Sequence, residues 1–231
     1  VRPFVEVVKA SPTTSRKELT MKLTVNTFVT LDGVMQGPGG PEEDRTGGFD
    51  HGGWLMPVAD DDFGRIVSGW FENADALLLG RTTYGLFAGF WPDVTDPDDP
   101  VAAALNSLPK HVVSTTLTNP TWSNTTVIGG DVVAAVTALK EQPGRELQVH
   151  GSCGLVHTLH DAGLVDEYRL IVAPVVLGSG KKLFADGAAA TGLELVASER
   201  TAAGCLYAVL RPSGEVRVAE AAVQYGKDVI V

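Results

Sequence analysis

The residues best suited to chemistry lie where two apolar runs break on a glycine. The first is Asp75-Ala-Leu-Leu-Leu-Gly80-Arg81-Thr82-Thr83-Tyr84, and the second is Glu146-Leu-Gln-Val-His150 followed by Gly151-Ser152-Cys153-Gly154-Leu155. Each reads as a short buried strand, a glycine stop and the start of a helix. A helix start exposes unpaired N–H groups and the positive end of the helix dipole, so it draws anions. Gly80 lets the backbone turn tightly or approach a ligand closely. Thr82 and Thr83 stand at the expected helix end, and Arg81 adds a planar, permanently charged fork suited to phosphate. Two such corners on one parallel sheet could hold two ends of an extended phosphate ligand. Either corner alone is also an ordinary strand-to-helix turn.

Other groups have a functional and a structural reading side by side. Asp60-Asp61-Asp62 precedes a helical stripe of Phe63, Ile66, Val67, Trp70 and Phe71. The aspartates fit its N-terminus as cap and dipole partners. Alternatively Asp61 or Asp62 faces a substrate ring. Trp54 follows a long loop rich in Gly, Pro and acidic residues, Gln36 to Gly53, which is either disordered or a functional loop over a pocket. Trp54 either stacks on a flat substrate or anchors that loop on the core. His157 and His160 share one helix face, but no third ligand with suitable spacing accompanies them or His51 and His150, so no metal is expected. Cys153 stands at a helix start, where a thiol pKa can be lowered. No base is placed beside it by sequence, and it reads as lining a phosphate loop.

The elements that must position these groups follow from the rest of the chain. Lys22 to Thr30 alternates apolar and polar residues as a strand with one covered face, and ends in the turn-prone Asp32-Gly33. Short strands are expected at His111 to Thr115, ending in hydroxyls, and at Val127-Ile128. Asp131 caps a helix from Val132 to Lys140, and a second helix runs from Leu155 to Ala162. Val165 to Pro174 forms a longer strand, and Leu193 to Arg200 with Gly204 to Arg211 a last antiparallel pair. Residues 1–20 read as a leader or non-native extension, 21–212 as one domain, and 213–231 as an appendage.

Composition narrows the function classes. The 231 residues are 44% hydrophobic, enough for a sizeable core, and the net charge of −10 argues against a nucleic-acid or anionic-membrane surface. Two distant cysteines without metal-site spacing fit a reducing cytoplasm. No apolar run approaches the ~20 residues needed to span a bilayer.

Several separated patches stand in the order of one family: Thr30-Leu-Asp-Gly33, Ala76 to Tyr84, Val149-His-Gly-Ser152, Asp166 to Gly178, Lys182-Leu-Phe184, and the ending Leu193-Glu-Leu-Val with Leu206 to Arg211. Over roughly Met21 to Pro212 the chain resembles the dihydrofolate reductase-like proteins of the type found at the C-terminus of the riboflavin-pathway deaminase–reductase, RibD. The resemblance implies an α/β, dihydrofolate reductase-like three-layer fold, with a mainly parallel central sheet and a C-terminal antiparallel hairpin, binding NADPH. It places Gly80, Arg81, Thr82 and Thr83 at the adenosine 2′-phosphate and pyrophosphate, and Ser114 and Thr115 by the adenosine half. Gly151, Ser152, Cys153, Gly154 and Leu155 would wrap the pyrophosphate from the other side. Thr30, Asp32 and Gly33 would border the nicotinamide, with Asp32, Asp61 and Asp62 as candidate proton donors and Trp54 at the substrate. A homodimer through the last strands and the appendage is also implied.

Two departures bear on function. No H-x-E followed by P-C-x-x-C is present, which excludes zinc deamination. Val34 stands where the riboflavin reductases usually carry a basic residue after Asp-Gly, which weakens a pyrimidine-reduction assignment. The expected activity is therefore an NADPH-dependent reductase of a small heterocyclic or carbonyl substrate. The alternative is a non-catalytic nucleotide-binding or regulatory protein on the same scaffold.

Overall fold

Six parallel strands carry the molecule, and a computed structural model describes it over residues 20–224 and 227–230. The strands are β1 (Lys22–Thr30), β2 (Ala74–Gly80), β3 (Lys110–Val113), β4 (Thr125–Ile128), β5 (Glu146–His150) and β6 (Glu167–Ala173). Beyond them β7 (Gly192–Arg200) and β8 (Leu206–Gly214) add an antiparallel pair, giving the order β4-β3-β2-β5-β1-β6-β8-β7. This is the expected dihydrofolate reductase-like arrangement with its C-terminal hairpin. A separate two-stranded sheet pairs β9 (Ala221–Gln224) with β10 (Lys227–Ile230). The hairpin strand β8 runs two residues past the expected domain end at 212, and the expected leader, apart from Thr20, lies outside the described residues.

Five α-helices among the described residues cover the sheet: α1 (Asp61–Trp70), α2 (Arg81–Ala88), α3 (Pro100–Ser107), α4 (Val132–Lys140) and α5 (Cys153–Asp161). The strand period of two divides them between faces. On one face Leu23, Val25, Ala76, Leu78, Leu147 and Val149 meet Val136 and Leu139 of α4 and Leu155, Val156 and Leu159 of α5. On the other, Leu77, Leu79 and Val112 meet Tyr84 of α2 and Leu105 of α3. Ile171 and Ala173 meet Ile66 and Trp70 of α1 on that same side.

That second face also holds a buried ionic ladder. Arg169 bridges Glu146 at 2.6 Å and Glu167 at 2.7 Å, and Arg211 reaches Glu167 at 2.8 Å. The ladder ties β5, β6 and β8 together. Burial depresses the Arg169 charge, but the two carboxylates outweigh it and hold the guanidinium above its usual range.

Several elements differ from expectation at their ends, among them β4, β6 and β8, and two of the differences lie beside the glycine corners. The strand at 111–115 stops at Val113, because the Ser114 hydroxyl accepts the N–H groups of Thr116 (3.1 Å) and Leu117 (2.9 Å) and turns the chain. The helix expected from Leu155 starts at Cys153, since Ser152 takes a left-handed conformation (φ 61°, ψ 51°) and feeds the chain straight into its first turn. Among the described residues no helix is long and apolar enough to cross a membrane.

Candidate functional site

The two glycine corners meet. Strands β2 and β5 are neighbours, and the chain leaves β2 for a helix on one face and β5 for a helix on the other. Open α/β sheets bind ligands in the crevice this divergence leaves beyond the strand ends. Here the corners are also bonded to each other. The Gly80 N–H donates to Ser152 Oγ at 2.9 Å, and the Ser152 N–H donates to Thr83 Oγ1 at 3.1 Å. Between and beside them lies a cleft of about 650 Å³ lined by Gly80, Arg81, Thr82, Thr83 and the whole Gly151–Leu155 turn.

Helix capping distinguishes α2 and α5 from the other helices. Asp60 caps α1 through the Phe63 N–H, Asp99 caps α3 through Val101 and Ala102, and Asp131 caps α4, which reaches the cleft only through Val132, by way of Ala134. The first turns of α2 and α5 line the cleft and have no side-chain cap. Their N–H groups are left for a ligand, and Arg81 adds a fixed positive charge. The donor set fits the phosphates of a dinucleotide: amides, two threonine hydroxyls and a guanidinium, while the Ser152 hydroxyl is spent on the His150 carbonyl at 3.0 Å.

The glycines do different work. Gly80 is extended (φ −77°), and a side chain there would touch Ser152 at an ordinary 3.4 Å, so a tight turn does not require it. Gly151 has φ 55°, and a Cβ on it would meet Thr83 Oγ1 at 3.3 Å. The second corner is where glycine is needed.

Several expected site residues lie elsewhere. Asp32 is not in the cleft. Its carboxylate accepts from Thr30 Oγ1 (2.6 Å), Leu177 N (3.2 Å) and Gly178 N (2.7 Å), and these hydrogen bonds, Thr30 foremost, hold its pKa down to about 2. It clasps the end of β1 to the 175–180 loop and is unsuited to give up a proton. Thr30 and Gly33 belong to the same clasp: the Val34 N–H donates to Thr30 Oγ1, and Gly33 turns with φ 82°. Asp61 and Asp62 stand on the first turn of α1, where Asp62 Oδ2 accepts the Ala202 N–H, and neither lines the cleft. Trp54 is buried in the core with its Nε1 donating to the Gln36 carbonyl at 2.8 Å. It anchors the loop and does not stack over the cleft. Ser114 and Thr115 also fall outside the lining, and Val113 takes that place.

Cys153 lines the cleft, but burial pushes its thiol up, against the lowering a helix start would give. The thiol donates to the Lys182 carbonyl at 3.1 Å. His157 and His160 do not converge. His157 Nε2 lies 2.9 Å from the Lys182 carbonyl, whereas His160 is buried between the Tyr168 hydroxyl (2.7 Å) and the Ala189 carbonyl (2.8 Å).

Of the two readings of the 36–53 loop, the structure supports a loop at a pocket: it contributes Gln36, Pro38, Glu43 and Asp44 to the far half of the cleft, residues that sequence reasoning did not single out. Gln36 staples the loop: its amide donates to the carbonyls of Asp44 and Thr46, and its oxygen accepts the Lys181 N–H at 3.0 Å. Lys181 and Asp44 close the rim as an ion pair. Burial raises the Glu43 pKa in spite of the Gly39 and Gly40 N–H groups on its carboxylate. Asn26, Thr27 and Phe28 of β1 and His150 of β5 complete the lining. Burial, with Arg169 nearby, drives His150 down to about 3, so it is neutral. Besides the length of the loop, the signal for this half was Asn26 itself, an amide in a strand interior where amides are disfavoured.

A family model for the RibD C-terminal domain matches residues 21–207. The uncharacterized protein YyaP of Bacillus subtilis (strain 168) is 29% identical over 195 residues, 84% of this chain and 96% of that protein. A second uncharacterized protein of the same organism, YwjB, is 27% identical over 117 residues, covering 51% of this chain and 62% of its own. Among solved structures, a Shewanella sp. PV-4 protein described for riboflavin biosynthesis superposes with a TM-score of 0.62 at 22% identity, over 84% of this chain and 99% of that one. RibD from Acinetobacter baumannii gives 0.58 at 15% identity, over 84% of this chain and 58% of that one. Both likenesses are of fold.

Proposed function

This chain belongs to the RibD C-terminal domain family, a family of reductase-like domains, and we propose that it is an NADPH-dependent reductase of a small heterocyclic or carbonyl substrate. One observation carries the reading: two uncapped helix starts, bonded to each other, open on one cleft beside Arg81. In this reading Thr82, Thr83 and the amides of both corners hold the pyrophosphate, and Arg81 holds the 2′-phosphate. The bound nicotinamide supplies hydride. Glu43, the cleft-lining carboxyl whose pKa burial raises, takes over the proton-donor role first considered for Asp32, Asp61 and Asp62. Exposed Leu193, Leu195 and Val196 on the edge strand β7 form the contact face of a cytoplasmic homodimer; a monomer by light scattering removes that part of the reading.

Titration with NADPH tests the cofactor, followed by loss of its near-ultraviolet absorbance with a panel of pterin-like, pyrimidine-like and carbonyl substrates. No binding at roughly millimolar NADPH ends the proposal, since that affinity is worth only about 4 kcal/mol. A second reading has one observation in its favour: none of the three aspartates lines the cleft. NADPH binding without turnover across the panel would establish a non-catalytic nucleotide-binding protein instead.

A further inference from the structure

Four buried side-chain polar atoms lack a hydrogen-bond partner among the described residues: Thr24 Oγ1, Trp70 Nε1 and both amide atoms of Asn26. Of these three residues, Asn26 is the one that lines the cleft, and it is 1% exposed. A buried donor or acceptor left unpaired costs about 1–3 kcal/mol, so a carboxamide unpaired at both ends is a standing cost to the ligand-free fold. Such groups mark places where a partner arrives from outside.

The surroundings define that partner. Asn26 sits on β1 opposite His150 of β5 and Arg169 of β6. The Arg169 guanidinium is already taken by Glu146 and Glu167. His150 is neutral and stacked on Phe71, with ring centres 5.0 Å apart and planes within 1°. Phe28, next along the same face of β1 and itself in the cleft lining, stacks on Trp70 with centres 5.5 Å apart. This wall is therefore aromatic, its one cation already paired, and the Asn26 amide presents N–H donors beside a carbonyl acceptor. A phosphate or carboxylate needs two donors and meets a repelling oxygen here. A flat ring with an N–H beside a C=O meets both amide atoms at once, in the two-bond arrangement that carboxamides make with complementary edges.

We propose that Asn26 reads the lactam edge of a neutral, planar heterocycle seated against Phe28, and that this amide sets the substrate class of the site. The inference rests on the reductase reading, in that the ring is the hydride acceptor.

The test uses two matched rings, quinazolin-4-one with the lactam edge and quinazoline without it. Each is titrated calorimetrically into the full protein, with and without NADPH. Quinazolin-4-one is expected to bind at least about tenfold tighter than quinazoline. Asn26→Leu, of similar volume, should bring the two within about twofold while leaving NADPH affinity unchanged. Its melting temperature without ligand should equal or exceed that of the unaltered protein, because an unpaired amide has been removed. Asn26→Asp keeps the shape, removes the donor and should lose the lactam preference equally. Equal binding of the two rings, no binding of either, or a lactam preference that survives both variants overturns the proposal. So does a loss of NADPH affinity in Asn26→Leu, which would assign the amide to the cofactor. Failure of NADPH to bind while the ring preference holds would count against the reductase reading alone.

Discussion

The corner at Gly80–Arg81 and the corner at Gly151–Ser152 share one sequence device but solve it with different backbones. At the first, the chain stays in ordinary extended geometry up to the helix (φ −77°, ψ 160°). At the second, two successive residues are left-handed, Gly151 at φ 55° and Ser152 at φ 61°. A left-handed serine is uncommon and costs about 1–2 kcal/mol. Its position explains why it is kept. The left-handed turn brings Ser152 Oγ onto the Gly80 N–H and the Ser152 N–H onto Thr83 Oγ1. The relaxed corner supplies charge, and the strained corner supplies the lock that joins the two. Similar strand–glycine–helix patterns thus need not mean similar glycine roles.

The two corners also differ in what underlies them, and this gives the largest expected effect. His150 precedes the second corner and Leu79 the first. The folded His150 pKa of about 3 lies far below the unfolded value near 6.5. Between these values the unfolded chain binds a proton that the folded one does not. Stability is therefore full above pH 6.5 and is lost as pH falls toward 3, by at most about 1.4 kcal/mol per pH unit. Denaturant unfolding at a series of pH values should show this slope, and His150→Gln should flatten it; an unchanged slope would mean that His150 is not held neutral.

Arg81→Ala strikes the charged corner alone. NADPH affinity should fall at least about tenfold, with NADH affinity nearly unmoved, since the guanidinium is assigned to the extra phosphate. Equal losses for both cofactors would remove that assignment. Gly151→Ala strikes the strained corner, adding a left-handed alanine against Thr83, and should destabilise by about 1–2 kcal/mol. Thr83→Val removes the acceptor of the lock and should cost about 1 kcal/mol, read as a lower denaturation midpoint. The smallest effect is expected for Gly80→Ala, within about 0.5 kcal/mol, because its backbone angles suit any residue. If Gly80→Ala destabilised as much as Gly151→Ala, the contrast between the corners would be lost.

Local pattern carried most of the fold. Alternation in Lys22–Thr30 gave β1 with its bounds, though not the burial of both its faces where one covered face was expected, and Asp131 before an apolar stripe gave α4. Both are readable because period and capping depend on near neighbours. The two glycine corners were legible for the same reason: a glycine and hydroxyls at a helix start, with an arginine at the first corner, stand within six residues. The other half of the cleft was legible only as a long loop. Trp54 and Gln36 are 18 residues apart, yet a hydrogen bond from the indole to the Gln36 carbonyl joins them. Asp32, one of three candidate proton donors, accepts amides 145 and 146 residues along the chain. No local window contains those partners.

The sequence by itself determined the strands, two helix starts that follow a glycine corner and a net negative charge, since strand period, helix ends and charge are properties of short stretches or of composition. Only the tertiary structure decided that the two starts are hydrogen-bonded neighbours, that Asp32 and Trp54 are framework, and that Asn26 faces the cleft with its amide unpaired. Those outcomes depend on which distant groups arrive beside a side chain, and hydrogen bonding and desolvation are settled there.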